Sequence, residues 1–246
     1  MATAQQTSFP KENIKVVLLE NIHPTASELF AEEGFQVETV PRAMQGAELA
    51  EKVSDAHVLG IRSKSHVDEE VLARARRLLA IGAFCIGTNQ IDLRAAAKRG
   101  VPVFNAPFSN TRSVAELVIG EIIMLARRVF DRSRLAHEGI WQKTAEGSYE
   151  VRGKVLGIVG YGHIGSQVGV LAEALGMRVI FHDVATRLPL GNNRPVASLE
   201  ELLRRSDFVT LHVPATPQTR WMIGREQIAQ MKQGSYLLNQ IGRAHV

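Results

Sequence analysis

Three glycines and an aspartate stand at a spacing that is typical of one kind of binding chemistry. Gly160, Gly162 and Gly165 lie in the segment G-Y-G-H-I-G, and Asp183 follows eighteen residues after the last of them. The first glycine permits a tight turn, the second lets the backbone approach a pyrophosphate, and the third lets a helix lie against the preceding strand. The carboxylate of Asp183 would accept hydrogen bonds from adenosine ribose hydroxyls and repel a 2′-phosphate, and no arginine follows it directly. The pattern predicts a site that prefers NAD to NADP.

The segments around these residues predict a βαβ unit that would position them. An apolar run, Val155–Val159, indicates a strand, and apolar residues at helical spacing between Ile164 and Leu175 indicate a helix. Gly176 would end that helix in a left-handed conformation. A second strand is predicted at Arg178–His182, with the aspartate directly after it. The alternative is a strand-to-helix turn that binds no ligand. The presence of Asp183 at the expected spacing from the glycines disfavours this alternative.

Composition indicates an intracellular enzyme. The chain has 246 residues, 45% of them hydrophobic, which suffices for one large or two modest cores. No stretch is long and apolar enough to span a bilayer, and the first residues lack the apolar region of a secretion signal, so we expect a cytoplasmic protein without a membrane partner. Lys and Arg outnumber acids by four but are interspersed with them, which favours solvated surface over a nucleic-acid partner. Cys85, in an apolar stretch, is expected to be a buried small side chain.

Strands and helices alternate before the dinucleotide motif. Strands are predicted at 14–20, 36–40, 56–61, 78–84 and 102–105, and helices at 26–33, 48–53, 68–77 and 93–99. This alternation predicts a parallel sheet with helices on both faces. Because it has no glycine fingerprint of its own, it forms a separate domain, which we place at residues 1–108, with the nucleotide domain at 109–246.

The nucleotide domain is expected to begin with a helix that links the two domains. Its apolar residues run from Val114 to Leu125, and Asn110 or Ser113 would serve as the N-cap. A second helix is predicted at 132–138. After the βαβ unit we predict a loop at 189–195, helices at 199–205 and 225–230, and strands at 207–213 and 235–239.

Five segments together resemble the D-isomer-specific 2-hydroxyacid dehydrogenases, in the order and spacing of that family, over about residues 14 to 239. They are R-S-K-S-H at 62–66, I-G-A-F-C-I-G-T-N-Q-I-D at 81–92, N-A-P-F-S-N-T-R-S-V-A-E-L-V-I-G at 105–120, G-Y-G-H-I-G at 160–165 and L-H-V-P at 211–214. The resemblance implies an α/β fold of two doubly wound parallel-sheet domains, a flavodoxin-like substrate domain and an incomplete Rossmann NAD-binding domain. It also implies NAD-dependent oxidation of a small anionic 2-hydroxy acid.

For the substrate, the resemblance implies a group of cations in the first domain. Arg62 and Lys64, on either side of Ser63, would hold the carboxylate and phosphate of the substrate. The family often has arginine at the second place, so Lys64 lacks the bidentate fork. Asn110 would meet the substrate from a cleft loop. The alternatives are that Arg62 and Lys64 are solvated loop cations and that Asn110 is an ordinary turn residue.

The resemblance further implies a homo-oligomer formed through the nucleotide domain. Lys143 would reach the substrate phosphate in a neighbouring subunit, and Trp141 would anchor that interface.

For the cofactor, the resemblance implies contacts from two segments. The backbone N–H groups of His163 and Ile164 would bind the pyrophosphate. His212, Val213 and Pro214 would cover the adenine or the nicotinamide ribose. The resemblance makes His212 a wall of the cofactor site, in preference to a catalytic acid.

The groups for proton transfer are not assigned to any residue of this chain. Resembling enzymes use a His, a Glu and an Arg that would lie beyond residue 239, and Arg243 and His245 are out of register. We therefore expect a truncated, inactive fragment with strand 235–239 as an unprotected edge, and residues 240–246 as translated adapter sequence. The alternative is a non-catalytic NAD-binding regulatory or interaction module, which the cations Arg62, Lys64 and Lys143 disfavour.

Overall fold

The computed structural model describes residues 9–214 and 216–240. The predictions about Arg243 and His245 lie outside the described residues. The chain divides into two compact units, of which one ends at Ser109 and the other begins at Asn110. In the described part of the chain, no helix has the length and apolar character needed to cross a membrane.

The first unit is a five-stranded parallel sheet flanked by helices. Its strands are β1 (Lys15–Leu19), β2 (Gln36–Val40), β3 (Val58–Ile61), β4 (Ala80–Ala83) and β5 (Val103–Asn105). Its helices are α1 (Pro24–Glu32), α2 (Gly46–Lys52), α3 (Glu69–Arg74) and α4 (Leu93–Lys98), preceded by a 3-10 turn at Lys11–Asn13. The strand order is β2-β1-β3-β4-β5. This is the flavodoxin-like order, as predicted.

Local sequence explains these elements. The interior strands β1, β3 and β4 are mainly apolar because helices cover both faces of a parallel sheet, and Val17, Leu59 and Ile81 in them are fully buried. Two helices begin at capping aspartates: Asp68 accepts the Val71 N–H at 2.9 Å, and Asp92 accepts the Ala95 N–H at 2.9 Å.

The second unit is also a parallel sheet with flanking helices. Its helices are α5 (Thr111–Ala126), α6 (Val129–His137), α7 (His163–Ala174), α8 (Leu199–Arg205) and α9 (Arg225–Gln230). Its strands are β6 (Val155–Val159), β7 (Arg178–His182), β8 (Arg194–Pro195), β9 (Phe208–Leu211) and β10 (Tyr236–Asn239). The order β10-β9-β6-β7-β8 reverses direction at β6, as in the Rossmann fold. The predicted α/β class with two doubly wound sheets is confirmed.

The structure differs from the sequence predictions at two places in this unit. Residues 189–195 were expected to be loop throughout, but β8 pairs with Ile180 and Phe181 of β7. A strand of two residues carries no periodicity, and Pro195 is tolerated because β8 lies at the edge of the described sheet. The proposed cap at Ser113 was wrong, since this residue lies inside α5. Asn110 stands at the N-cap position, but its side chain makes no capping hydrogen bond.

The opposite edge of the described sheet is β10. This strand pairs only with β9 among the described strands, so one side of its backbone is open. Leu238 is buried and the Tyr236 ring stacks on Phe208 at 5.2 Å, whereas Leu237 is 39% exposed. Within the described residues, the expected open edge is therefore present at β10.

Candidate dinucleotide and anion sites

The glycine turn has the geometry that a dinucleotide requires. Gly160 has φ +89°, and a Cβ there would come within 2.6 Å of the His212 carbonyl oxygen. A Cβ at Gly165 would overlap the Gly160 carbonyl, so only glycine lets α7 lie this close to the turn. Nothing lies within 4 Å of the place where a Gly162 Cβ would be. The turn is therefore closed on the protein side and open on the side where a pyrophosphate would approach.

The N-terminus of α7 faces this open space. Gly162 is the N-cap and has no side chain that could cap the helix. Helix α7 has twelve residues, and its aligned peptide dipoles place positive potential at His163 and Ile164. An anion would stabilise this end of the helix. The residues present thus fit a dinucleotide pyrophosphate.

Asp183 stands beside the same turn and is held there by the backbone. Its Oδ2 accepts the Tyr161 N–H at 2.8 Å, its Oδ1 accepts the Ala185 N–H at 2.9 Å, and its side chain is 9% exposed. Burial alone would raise the pKa of this carboxyl. The N–H groups of Ala185 and Tyr161 and the nearby guanidinium of Arg187 outweigh burial and lower that pKa, so the group is ionised at neutral pH.

The structure places a cation beside Asp183 that the sequence analysis did not consider. No arginine follows the aspartate directly, as the sequence analysis noted. In the structure, the Nε of Arg187 lies 3.5 Å from Asp183 Oδ2. The loop after β7 turns back at Ala185, which brings a residue four positions along the chain to the carboxylate.

Tyr161 is a residue of this site that the sequence analysis missed. Its buried ring stacks on Phe181 at 3.7 Å, and its hydroxyl accepts the Asn193 Nδ2–H at 2.7 Å and the Leu190 N–H at 3.3 Å. Tyr161 thereby ties the loop after Asp183 to the glycine turn. The signal for Tyr161 in the sequence was its position as an aromatic residue between the first two glycines of G-Y-G-H-I-G.

His212, Val213 and Pro214 come directly after β9, at the same edge of the sheet. The His212 N–H donates to the Val159 carbonyl at 2.7 Å, and the Val213 side chain would touch a Cβ placed on Gly160. Burial lowers the pKa of His212 to about 4, and its Nε2 lies 3.0 Å from the Thr210 hydroxyl. The imidazole is therefore neutral at pH 7, which suits a wall residue and not an acid. The structure brings this segment, the glycine turn and Asp183 together.

The predicted substrate cations lie in the first unit, at the carboxyl end of β3. Arg62, Ser63 and Lys64 are all exposed. The backbone N–H groups of Arg62, Lys64 and Ser65 donate to the Glu20 carboxylate at 3.0, 2.9 and 2.8 Å. A single carboxylate therefore fixes the path of the loop while the two cationic side chains point outward.

Glu20 is the second residue that the sequence analysis missed. It follows β1, has φ +61° and is 8% exposed. Burial would raise its pKa, but the hydrogen bonds from Ser65, Lys64 and Arg62 lower it below the ordinary value for glutamate. Gln90, also buried, supports the loop from the other side by donating to the Arg62 carbonyl at 2.7 Å. The sequence offered one signal for Glu20, because an acid at the carboxyl end of a central strand is placed where ligands bind.

Cys85 belongs to the same loop cluster and is only partly buried, whereas the sequence analysis expected a buried small side chain. Its Sγ lies within hydrogen-bond distance of the carbonyls of Gly87, at 3.2 Å, and Arg62, at 3.4 Å. Burial raises the pKa of the thiol, which argues against a nucleophile.

The remaining predicted residues lie in the second unit. The Asn110 Oδ1 is buried and has no hydrogen-bond partner among the described residues. Trp141 is 82% exposed, and Lys143 is exposed in the irregular segment between α6 and β6. Their roles toward substrate and a neighbouring subunit stay predictions.

The fold and the glycine turn define a protein of two α/β units, one of which has the architecture of a dinucleotide-binding domain. Residues 119–246 match the family described as "D-isomer specific 2-hydroxyacid dehydrogenase, NAD binding domain". The chain belongs to the D-isomer specific 2-hydroxyacid dehydrogenases. The resemblance stated from the five motifs and the choice of NAD as cofactor are thereby confirmed.

Relatives and solved structures agree with this family. D-3-phosphoglycerate dehydrogenase of Dictyostelium discoideum is 58% identical over 233 residues, which are 95% of this chain and 57% of that protein. The enzyme of the same name from Escherichia coli K12 is 53% identical over 235 residues, again 95% of this chain and 57% of that protein. The chain thus spans a little over half the length of these relatives. The structure of D-lactate dehydrogenase from Aquifex aeolicus, complexed with NAD and lactic acid, superposes with a TM-score of 0.79 at 29% identity, covering 92% of this chain and 68% of that one.

Proposed function

We propose that the chain forms the NAD-binding and substrate-binding parts of a D-3-phosphoglycerate dehydrogenase, which oxidises D-3-phosphoglycerate to 3-phosphohydroxypyruvate in serine biosynthesis. The observation that carries the substrate class is the loop 62–64, whose backbone is fixed by a buried carboxylate so that two cations face outward. The names of the two relatives support the particular substrate. A dianionic 2-hydroxy acid such as 2-hydroxyglutarate meets the same charge requirement.

On the cofactor side, the chain's residues bind and orient. The N-terminus of α7 would hold the pyrophosphate, while the ionised Asp183 would accept the ribose hydroxyls. Neutral His212 and the two residues after it would form an apolar wall beside the bound cofactor. When bound, NAD would supply the hydride acceptor for oxidation of the hydroxy carbon of the substrate.

On the substrate side, the chain supplies charge. Arg62 can form two parallel hydrogen bonds to a carboxylate or a phosphate, and Lys64 adds a point charge. The rigid loop lowers the entropy cost of holding these long side chains in one place. Asn110 is proposed as a further substrate contact, and its Oδ1 has no hydrogen-bond partner among the described residues.

We assign the proton transfer of this reaction to none of the described residues. His212 lies beside the glycine turn, but its pKa of about 4 leaves the imidazole uncharged, and its Nε2 is hydrogen-bonded to the Thr210 hydroxyl. A second copy of the chain is proposed as a partner, with the exposed Trp141 as the interface anchor and Lys143 beside it.

The test is a binding titration of the chain with D-3-phosphoglycerate in the presence of NADH. Arg62→Ala should weaken binding at least tenfold, because a charge-assisted contact is lost, and should leave NADH binding within twofold. Arg76→Ala, an exposed arginine of the same unit, is the matched control and should change neither. Equal affinity of the wild-type chain and Arg62→Ala for the phosphorylated acid would contradict the proposal. Tighter binding of 2-hydroxyglutarate than of D-3-phosphoglycerate would make 2-hydroxyglutarate the proposed substrate.

A further inference from the structure

Arg187 lies beside the carboxylate that would receive the adenosine ribose. Its Nε is 3.5 Å from Asp183 Oδ2, and its side chain is 48% exposed. The loop that carries it is tied to the glycine turn, since the Leu190 N–H and the Asn193 amide both donate to the Tyr161 hydroxyl. The guanidinium is therefore kept in the neighbourhood of the ribose site and remains open to solvent on one side.

The hydrogen bonds to Asp183 show what the guanidinium competes with. Each carboxylate oxygen accepts about two hydrogen bonds. Oδ1 already accepts the Ala185 N–H and Oδ2 accepts the Tyr161 N–H, so one position on each oxygen remains for two ribose hydroxyls. The Arg187 Nε lies 3.5 Å from Oδ2, which is an ion-pair distance. A ribose hydroxyl bound to that oxygen would therefore compete with the guanidinium for the carboxylate.

Moving the guanidinium aside costs little, because it is 48% exposed and 3.5 Å from the carboxylate oxygen, and it leaves a cation at the ribose. The released guanidinium has the planar fork that binds phosphate through two hydrogen bonds, and an arginine near the ribose is the usual feature that accommodates a 2′-phosphate. Asp183 repels a 2′-phosphate, whereas Arg187 offsets that repulsion at the same place.

We propose that Arg187 is a specificity-determining residue of the dinucleotide site, which weakens the rejection of a 2′-phosphate by Asp183 and makes NADP a secondary ligand of this chain. This rests on the proposed binding of NAD at the Gly160 turn. Asp183 and Arg187 have opposite effects on specificity. The carboxylate favours the free ribose hydroxyls of NAD, and the guanidinium reduces the difference in affinity between NAD and NADP.

The experiment is isothermal titration of the 246-residue chain and its variants with NAD and with NADP. The wild-type chain should bind NAD more tightly, with measurable NADP binding. Arg187→Ala should weaken NADP binding at least tenfold and leave NAD binding within twofold, while Arg187→Lys should retain part of the NADP affinity. Arg204→Ala, an exposed arginine of α8, is the matched control and should change neither.

A second pair of variants separates the contributions of Asp183 and Arg187 to NADP affinity. Asp183→Asn should gain NADP affinity at least tenfold, and Asp183→Asn combined with Arg187→Ala should lose that gain. The inference is overturned if Arg187→Ala changes both affinities by the same factor, or if the double variant keeps the gain. Failure of the wild-type chain to bind either dinucleotide would overturn the proposed NAD site as well, so the two failures are distinguishable.

Discussion

Replacing Glu20 should release the loop that carries the two substrate cations. The carboxylate is 8% exposed and accepts three backbone N–H groups at 2.8 to 3.0 Å. A buried donor left unpaired costs about 1 to 3 kcal/mol, but water can reach part of this exposed loop. We therefore expect Glu20→Ala to destabilise the closed loop by about 2 to 4 kcal/mol in total.

The assay is amide hydrogen exchange, because it reports local opening. A loss of about 2 kcal/mol corresponds to roughly thirtyfold faster exchange for the amides of residues 62, 64 and 65, if they exchange by opening of the loop. Glu20→Gln should show a smaller effect, since one oxygen remains as an acceptor while the NH₂ group faces the backbone donors. Glu28→Ala, an exposed acid of α1, is the control and should leave these amides unchanged.

The effect should also depend on pH in a defined direction. The pKa of Glu20 is lowered in the folded chain, so its contribution is present above the pKa of the unfolded state and is lost as pH falls through the folded value. The ratio of exchange rates between Glu20→Gln and the wild-type chain should be largest near pH 7 and approach one at the acid end. A change below twofold at pH 7 in Glu20→Ala would refute the reasoning that this carboxylate holds the loop.

Four further outcomes are expected. Asp183→Ala should weaken NAD binding at least tenfold by calorimetry, because the ribose hydroxyls lose their acceptor; Asp131→Ala in the same unit is the control, and an unchanged NAD affinity would contradict the assignment. His212, with a pKa of about 4, stays neutral between pH 6 and 8 and should contribute no step to NAD affinity there; a step that disappears in His212→Gln would contradict this. Tyr161→Phe should destabilise the chain by about 1 to 3 kcal/mol in urea unfolding, because Asn193 and the Leu190 N–H lose their acceptor, and a change below 0.5 kcal/mol would show that this hydroxyl does not hold the loop. Leu237→Lys should reduce aggregation on light scattering, since a charge would protect the open edge of β10, whereas the same change at exposed Leu188 should not.

Most of the fold could be predicted, because most of its helices and strands show a local pattern in the sequence. The run Val155–Val159 and its glycines are local features, and the observed β6 has the same bounds. The short strand β8 was not predicted, because two residues show no period and its pairing is decided by β7. Likewise, the choice between Asn110 and Ser113 as the cap depends on where α5 starts, which propensity does not fix.

The candidate sites could be predicted only in part, for a similar reason. The spacing of Gly160 and Asp183 is visible in the sequence because both lie within one βαβ unit. The hydrogen bonds of Glu20 join residues that are more than forty positions apart, and only the pairing of β1 with β3 brings them together. The contact of Arg187 with Asp183 is local, but it depends on a turn at Ala185 that composition does not reveal.

The central claim is that the Gly160 turn and Asp183 bind NAD, and a crystal structure of the chain grown with NAD tests it most directly. We predict the pyrophosphate at the N-terminus of α7, within hydrogen-bond distance of the His163 or Ile164 N–H, and the adenosine ribose on the Asp183 carboxylate. A dinucleotide bound elsewhere, or a ribose that makes no contact with Asp183, would contradict the account.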